Sequence, residues 1–118
     1  MKAELKHLHS PDVKDLRTFK AGDPTNFSLF VQAMVGPEGE DESESFDFTV
    51  CTPRWLAETT QSQGPVIGLH HIVVAAFDYE ALIKAVQTYC SGCEGSNWQV
   101  VGAKVGRLGC WEFDNYDE

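Results

Sequence analysis

The sequence predicts a single α+β domain in which a mainly antiparallel sheet carries two to three helices packed on one face. Three observations indicate this class. Segments that alternate between apolar and polar residues, as strands do, fill the first half of the chain, and segments with helical spacing follow them. A length of 118 residues suits one hydrophobic core, and no repeat or linker divides residues 1–118. An apolar share of 42% is too high for a disordered chain.

The first half of the chain contains the predicted antiparallel strands. Residues 2–9 alternate between apolar and polar side chains, and residues 12–26 are predicted to be a long loop with room for one helical turn. Residues 27–35 are rich in Phe, Leu and Val and end at Gly36-Pro37, and residues 45–52 alternate again. Two strands joined by about nine polar residues predict a hairpin with an extended, mobile tip.

The middle of the chain predicts a helix followed by a central strand. Thr52 has the side chain of a helix N-cap, and Pro53 occupies the first helical position, where its missing N–H costs nothing. We expect apolar residues of the first turn to anchor this helix against the sheet until Gly64 ends it. Residues 66–77 form a β-branched run, which predicts a central strand buried on both faces at residues 72–74.

The last third of the chain predicts two helices and a short strand. Asp78 is a predicted N-cap, and the apolar residues after it recur at helical spacing as far as Cys90. Residues 97–108 have apolar residues at spacings of three and four, so a last helix is expected there despite its glycines. Residues 111–113 are predicted to form a short terminal strand.

Charge and apolar patterning argue against several classes of partner. A net charge of −9 disfavours nucleic acids and anionic membranes, because both require Lys or Arg to neutralise phosphate. The longest apolar stretch, residues 72–77, is much shorter than the roughly 20 residues of a membrane-spanning helix. Residues 1–6 lack the apolar segment of a secretory signal. We therefore expect a cytoplasmic protein that binds neither nucleic acid nor membranes.

The cysteines suggest a metal site or a redox motif. The chain has four of them: Cys51, Cys90, Cys93 and Cys110. The Cys90–Cys93 pair has the spacing of zinc ligands, but a structural zinc site usually has a second pair, and the only candidate is His70–His71. Neighbours on a strand point to opposite faces, so these two histidines are poorly placed for one metal. The sequence predicts reduced thiols, no metal and no cofactor.

Catalysis would require a nucleophile or base with an orienting partner. His70 or His71, with Asp47 or Cys51 near it in space, would make the protein a small cytosolic enzyme. Strand histidines with one face in water are the more common case. The sequence has no phosphate-binding glycine loop and no calcium loop. It therefore predicts no catalytic residues, and the enzyme is kept as an alternative hypothesis.

Acidic residues are the most distinctive feature of the chain. Residues 21–53 contain seven acids and neither Lys nor Arg, whereas residues 1–20 contain five bases and three acids. A block of this density repels itself, so it is either a solvated loop, as in an acidic adaptor domain, or a surface that meets a positive partner. The segregation of charge favours the second interpretation. The predicted partner-binding residues are Glu38, Glu40, Asp41, Glu42, Glu44, Asp47, Glu112, Asp114, Asp117 and Glu118.

Several blocks of the sequence are similar to those of a known family. These blocks are residues 1–6 with 9–12, residues 26–37, residues 45–56, residues 93–95 with Trp98, and residues 109–113. Through them the chain resembles the immunity protein 8 family over nearly its whole length. The block at residues 46–56 is the most specific, and residues 12–25 and 59–64 match least.

The resemblance implies a bacterial immunity protein. Proteins of this family are encoded beside polymorphic or contact-dependent toxins, and they protect the producing cell by binding the C-terminal domain of the cognate toxin. The resemblance supplies no motif of catalytic residues. Many such toxins are nucleases with a basic substrate groove, which an acidic immunity protein can occupy in place of phosphate. Tight binding usually also needs aromatic anchors, and the candidates are Phe19, Phe27, Tyr79 and Tyr116.

Overall fold

The computed structural model describes residues 1–113, which fold into a five-stranded sheet with three α-helices. The strands are β1 (Ala3–His9), β2 (Ser28–Pro37), β3 (Glu44–Cys51), β4 (His71–Val73) and β5 (Cys110–Trp111). The helices are α1 (Pro53–Gln63), α2 (Tyr79–Ser91) and α3 (Trp98–Val105), and a short 3-10 helix spans Leu16–Thr18. This arrangement confirms the predicted α+β class.

The sheet is mainly antiparallel. Its order is β1-β2-β3-β4, and β5 also pairs with β3. The predicted hairpin is formed by β2 and β3, which pair from Ser28 opposite Cys51 to Val35 opposite Glu44. Because β2 occupies one edge of β3, the other edge is shared: β4 pairs in parallel with the end of β3, and β5 pairs antiparallel with its beginning. Residues 38–43, which join β2 to β3, are named the acidic tip.

The core lies between one face of the sheet and helices α2 and α3. Alternate residues of β2 and β3 are buried on this face, among them Val31 and Phe46. They share one hydrophobic cluster with Val86 of α2 and with Val101 and Val105 of α3. Helix α2 packs against β1, and α3 contacts both β1 and β5. This packing places the start of α3 near β5 and the acidic tip.

The helices begin at side-chain caps. The side chains of Thr52, Asp78 and Asn97 each accept a hydrogen bond from a backbone N–H of the following turn, at 3.3, 3.1 and 3.0 Å. These bonds satisfy N–H groups that have no partner within the helix. The starts predicted at Thr52 and Asp78 are confirmed. Helix α1 contains no buried residue, and Trp55 and Leu56 in its first turn are only half-buried.

The prediction of a central strand over residues 66–77 is wrong. Only His71–Val73 forms a strand, and this strand lies at the edge of the sheet. Val73 is 52% exposed, so the segment is not buried on both faces. The backbone supplies a reason, since His70 has a φ of 60° and therefore interrupts the extended conformation just before β4. The β-branched composition indicates strand propensity but not this interruption.

Candidate functional site

A cleft of about 560 Å³ lies between the acidic tip, the N-terminus and the start of α3. Four carboxylates surround it, and they belong to Glu40, Glu42, Glu44 and Glu112. Apolar and aromatic side chains form much of the remaining lining: Met1, Pro37, Trp98 and Phe113. We refer to this feature as the acidic cleft.

Hydrogen bonds position two of the four carboxylates. The carboxylate of Glu44, at the start of β3, accepts a hydrogen bond from the indole N–H of Trp98. The carboxylate of Glu112 accepts one from the backbone N–H of Ser45 at 2.8 Å. These bonds hold negative charge at defined points of the cleft wall, and a positioned carboxylate forms the stronger, charge-assisted bonds with a cationic partner. Glu40 and Glu42 are exposed on the acidic tip.

Trp98 and Phe113, which line the cleft, belong to a cluster of packed aromatic rings whose other members are buried behind them. Trp98 meets Phe46 and Trp111 edge to face, with ring centroids 6.4 and 6.5 Å away. Trp111 also stacks on Phe46 at 5.7 Å and meets Phe113 edge to face at 6.4 Å. Carboxylates beside aromatic rings suit the side chain of Lys or Arg, because its charge pairs with the acids while its stem or guanidinium group lies against a ring.

Lys6 ties the acidic tip to β1. Its ammonium donates a hydrogen bond to the carboxylate of Glu4 at 2.5 Å. The same group donates to the backbone carbonyls of Pro37 and Glu40 at 3.1 and 2.5 Å. Glu4 also accepts a bond from the N–H of Gly39, and the bonds from Lys6 and Gly39 together lower the pKa of Glu4. The first half of the tip is therefore attached to the sheet.

The structure brings together some of the predicted partner-binding residues and separates others. Those that line the acidic cleft are Glu40, Glu42, Glu44 and Glu112. Glu38 and Asp41 are exposed on the acidic tip itself. Asp47 lies on the sheet, away from the cleft lining. The remaining three, which fall outside the described residues, are Asp114, Asp117 and Glu118.

Asp47 belongs to a polar network on the sheet face opposite the helices. Its carboxylate accepts hydrogen bonds from the hydroxyl of Ser45 at 2.5 Å and from the amide nitrogen of Gln32 at 3.2 Å. Because the nitrogen of Gln32 donates to Asp47, its oxygen faces His9, and Nε2 of His9 donates to it at 2.9 Å. The ring of His9 stacks on that of His7 at 5.3 Å. Asp47 thus has partners within the sheet.

The two adjacent histidines bond to backbone carbonyls. A ring N–H of His70 donates to the carbonyl of Gly106 at 2.7 Å, and one of His71 donates to the carbonyl of Leu69 at 3.0 Å. In the part of the chain from residue 1 to residue 113, no hydrogen bond joins either ring to a carboxylate or a thiol. The dyad that the enzyme hypothesis requires is not assembled there.

Three of the four cysteines are placed as packing residues. These three are buried and Cys110 is exposed, and all four are free thiols. Burial, with a smaller effect from the charge of Cys93, raises the pKa of Cys90 to about 12. Burial also raises the pKa values of Cys51 and Cys93. Among the described residues, no group of three or more His, Cys, Asp or Glu side chains is arranged to hold a metal ion.

We expect a single fast-reacting thiol in the native protein. At neutral pH a chromogenic disulfide reagent should modify the exposed Cys110 quickly, whereas the buried thiols should react only as the protein unfolds, because the reagent cannot reach them and their raised pKa values lower the thiolate fraction further. Cys110→Ser should abolish the fast phase and leave the slow one. A fast phase that survives this change and disappears in Cys90→Ser or Cys93→Ser would contradict the packing role.

Sequence reasoning missed two residues that shape the cleft. In the sequence, helical spacing is enough to account for Trp98, so nothing marks it as a cleft residue. No sequence pattern connects Trp98 with Glu44, which is 54 positions away. The signal that could have suggested this contact is chemical, since an indole N–H that is partly buried normally needs an acceptor. Lys6 is missed because the alternation of residues 2–9 does not reveal the β-bulge that redirects its side chain.

Of the four aromatic residues named as candidate anchors, three lie within the described residues, and all three are wholly or partly covered. Phe27 is buried, and Phe19 and Tyr79 are half-buried and pack against the core. Tyr116 lies outside the described residues. Exposed aromatic side chains within residues 1–113 include Phe30, Tyr89 and Phe113. Of these, Phe113 lines the acidic cleft.

Comparison with known proteins confirms the resemblance. The family model described as Immunity protein 8 matches residues 3–116, which is nearly the whole chain. No curated protein and no solved structure matches significantly. Within the described residues, none of the helices has both the length and the apolar character needed to cross a bilayer.

Proposed function

This chain belongs to the immunity protein 8 family, and we propose that it neutralises a cognate bacterial toxin in the cytoplasm by binding the toxin's C-terminal domain at the acidic cleft. Inhibition follows from occupancy, so the protein needs no catalytic residues and no cofactor of its own. The observation that carries the proposal is the cleft, in which four carboxylates surround aromatic side chains. Such a site matches a Lys or Arg side chain projecting from a basic surface.

The target proposed for the cleft is a basic groove, such as the substrate groove of a nuclease. A groove that holds phosphate groups must present Lys and Arg. The acids of the tip and cleft can meet those side chains, which blocks access of the nucleic acid. Complementary potentials also speed the encounter between the two proteins, and fast capture matters when free toxin is lethal.

Charge and apolar contact have separate roles in this proposal. Neutralisation of a lethal toxin requires nanomolar affinity or better, about −12 kcal/mol or beyond. Exposed charge pairs contribute little of that, whereas a few desolvated contacts near the centre of an interface dominate it. Trp98 and Phe113, which line the cleft, are the proposed contacts of this kind.

The test is binding to the toxin domain encoded by the neighbouring gene. Changing Glu38, Glu40, Asp41, Glu42 and Glu44 to the corresponding amides should slow association by about 10- to 100-fold at low ionic strength. It should also flatten the salt dependence of the association rate, because the steering charges are gone. Stopped-flow association at several salt concentrations measures both quantities.

A charge-matched pair of variants separates the cleft from net charge. The double variant Glu40→Gln/Glu42→Gln removes two charges from the cleft, and Asp12→Asn/Glu80→Gln removes two exposed charges elsewhere. The first pair should weaken binding more than the second. Equal effects would mean that only net charge matters and would remove the cleft from the proposal. Failure to bind the neighbouring toxin domain at all would remove the proposed function.

A further inference from the structure

The segment around β4 is free of charge. Residues 59–77 contain no Asp, Glu, Lys or Arg, although charged residues make up 23% of the chain. Three apolar side chains in this segment are exposed: Ile67 (78%), Leu69 (62%) and Val73 (52%). Exposed apolar side chains without neighbouring charges are typical of the centre of a protein interface, where charged residues are depleted.

β4 presents an open backbone edge. The carbonyl of His70 and the N–H of Val74 bond to β3 at 2.9 and 2.8 Å. Backbone groups of a strand alternate in direction, so those of His71 and Val73 point away from β3. No other strand within residues 1–113 pairs with this side of β4. The edge can therefore accept the backbone of an added strand.

The opposite edge of the sheet is protected. β1 has a β-bulge at Lys6, and its beginning is covered by a neighbouring segment, because the N–H of Ala3 donates to the carbonyl of Cys93 at 3.1 Å. Lys2 and Glu94 form an isolated bridge at the same place. Bulges, lysines and covering segments are devices that prevent edges from pairing with other chains. β4 is short, as protected edge strands often are, but it has none of the other protective features.

An apolar groove of about 460 Å³ lies beside this edge, between β4 and α2. Its lining consists of Ile, Val, Ala and Leu side chains together with Asp78. A strand that pairs with β4 would direct alternate side chains into the groove while its backbone bonds to His71 and Val73. The groove and the open edge therefore form one surface.

We propose that a second copy of this chain pairs its own β4 antiparallel with this edge, which produces a two-fold symmetric dimer with a continuous sheet. A two-fold interface requires a patch that is complementary to itself, and an uncharged apolar strand meets this requirement. The distribution of charge also favours a second copy of the chain over a basic partner at this edge. A basic partner is attracted by acids, and residues 59–77 have none; Asp78 of the groove lining caps α2, and the acids are concentrated at the acidic tip instead.

Antiparallel pairing keeps the two acidic tips apart. β4 pairs with the last three residues of β3, whereas the tip ends where β3 begins, about 20 Å away along the strand. In the dimer the tips lie at opposite ends of the joined sheet, about 40 Å apart along the strands. Charges are screened over about 10 Å at 0.1 M salt. Although each copy has a net charge of −9, the repulsion between the two acidic tips is therefore screened and does not prevent association at this edge.

Sedimentation equilibrium of the full chain tests the proposal without any toxin. From about 1 to about 200 µM the average mass should rise from the 13.1 kDa of one chain towards twice that value. Val73→Lys places a charge on the edge and should weaken association by at least about 10-fold. Ile67→Lys, at the most exposed of the three positions, should act similarly without disturbing the core.

The matched control adds the same charge away from the edge. Val100, on α3, is 40% exposed, so Val100→Lys should leave the dimer intact. A monomer at every concentration would overturn the proposal, and so would a dimer that persists in both Val73→Lys and Ile67→Lys. If the chain is monomeric and Val73→Lys instead weakens binding of a toxin domain, the edge belongs to the toxin interface and self-pairing is wrong.

Discussion

Trp111→Ala is expected to lower the free energy of unfolding by about 3–5 kcal/mol, the cost typical of removing a buried tryptophan. Trp111 is 6% exposed and stacks on Phe46. Its ring also fills the space next to Gly102, where an added Cβ would lie 2.7 Å from ring atoms. A loss of this size is a large part of the stability of a small domain. Urea unfolding at low temperature measures it.

A double-mutant cycle identifies packing as the cause. Gly102→Ala should destabilise the wild-type protein because the new methyl group meets the Trp111 ring. In the Trp111→Ala background the same change should stabilise the protein by up to about 1 kcal/mol, since alanine favours the helix more than glycine does. An equal effect of Gly102→Ala in both backgrounds would contradict the direct contact.

Trp111→Phe is a second control. The indole N–H of Trp111 is buried and has no hydrogen-bond partner among the described residues. Phenylalanine retains a ring against Phe46 and removes this N–H, whose burial is unfavourable. We therefore expect Trp111→Phe to cost less than half as much as Trp111→Ala. A similar loss for both would mean that a smaller ring against Phe46 is not sufficient and that the whole indole is required.

Local signals predicted the hairpin and the helix starts. The alternation at residues 27–35 and 45–52 repeats at the spacing of a strand, and each strand needs only its own sequence to reveal which face is buried. Thr52 and Asp78 cap their helices with the side chains that the sequence assigns to that role. These features depend on residues within one turn or one strand of each other, and such information is contained in the sequence.

Features that depend on distant residues were not predictable in the same way. The acidic cleft requires Glu44, Trp98 and Glu112 to meet, and their contact depends on the pairing of β5 with β3 and on the packing of α3. The sequence identifies the acids, but it does not say which of them share a cavity. Asp47 is a different case, because strand alternation is a local signal and already directs it to the opposite sheet face, where it joins a network with Gln32.

Gly36→Ala is expected to lower the free energy of unfolding by about 2–3 kcal/mol, at the upper end of overpacking effects. An added Cβ would lie 1.7 Å from the backbone oxygen of Glu42, which belongs to the acidic tip. A backbone atom cannot move aside as a flexible side chain does, so the second half of the tip must shift. Denaturant unfolding measures the loss.

The same substitution should also weaken toxin binding. Glu42 of the acidic tip and Glu44 at the start of β3 both line the acidic cleft, so displacement of the tip moves the carboxylate of Glu42 relative to Glu44 and Trp98. We expect an affinity loss of about 10-fold or more, mainly as faster dissociation, because the net charge that steers association is unchanged. This outcome would distinguish a defined cleft from a diffuse acidic loop, for which small displacements have no effect.

Gly22→Ala is the matched control. Gly22 is exposed in the loop before β2, and an added Cβ there has no atom within 4 Å. The change should alter stability by less than about 0.5 kcal/mol and leave toxin affinity unchanged. If Gly36→Ala proves equally silent, the acidic tip moves freely around Gly36. The bonds from Lys6 would then hold only the first half of the tip, and the mobile tip predicted from the sequence would be the better description of the second.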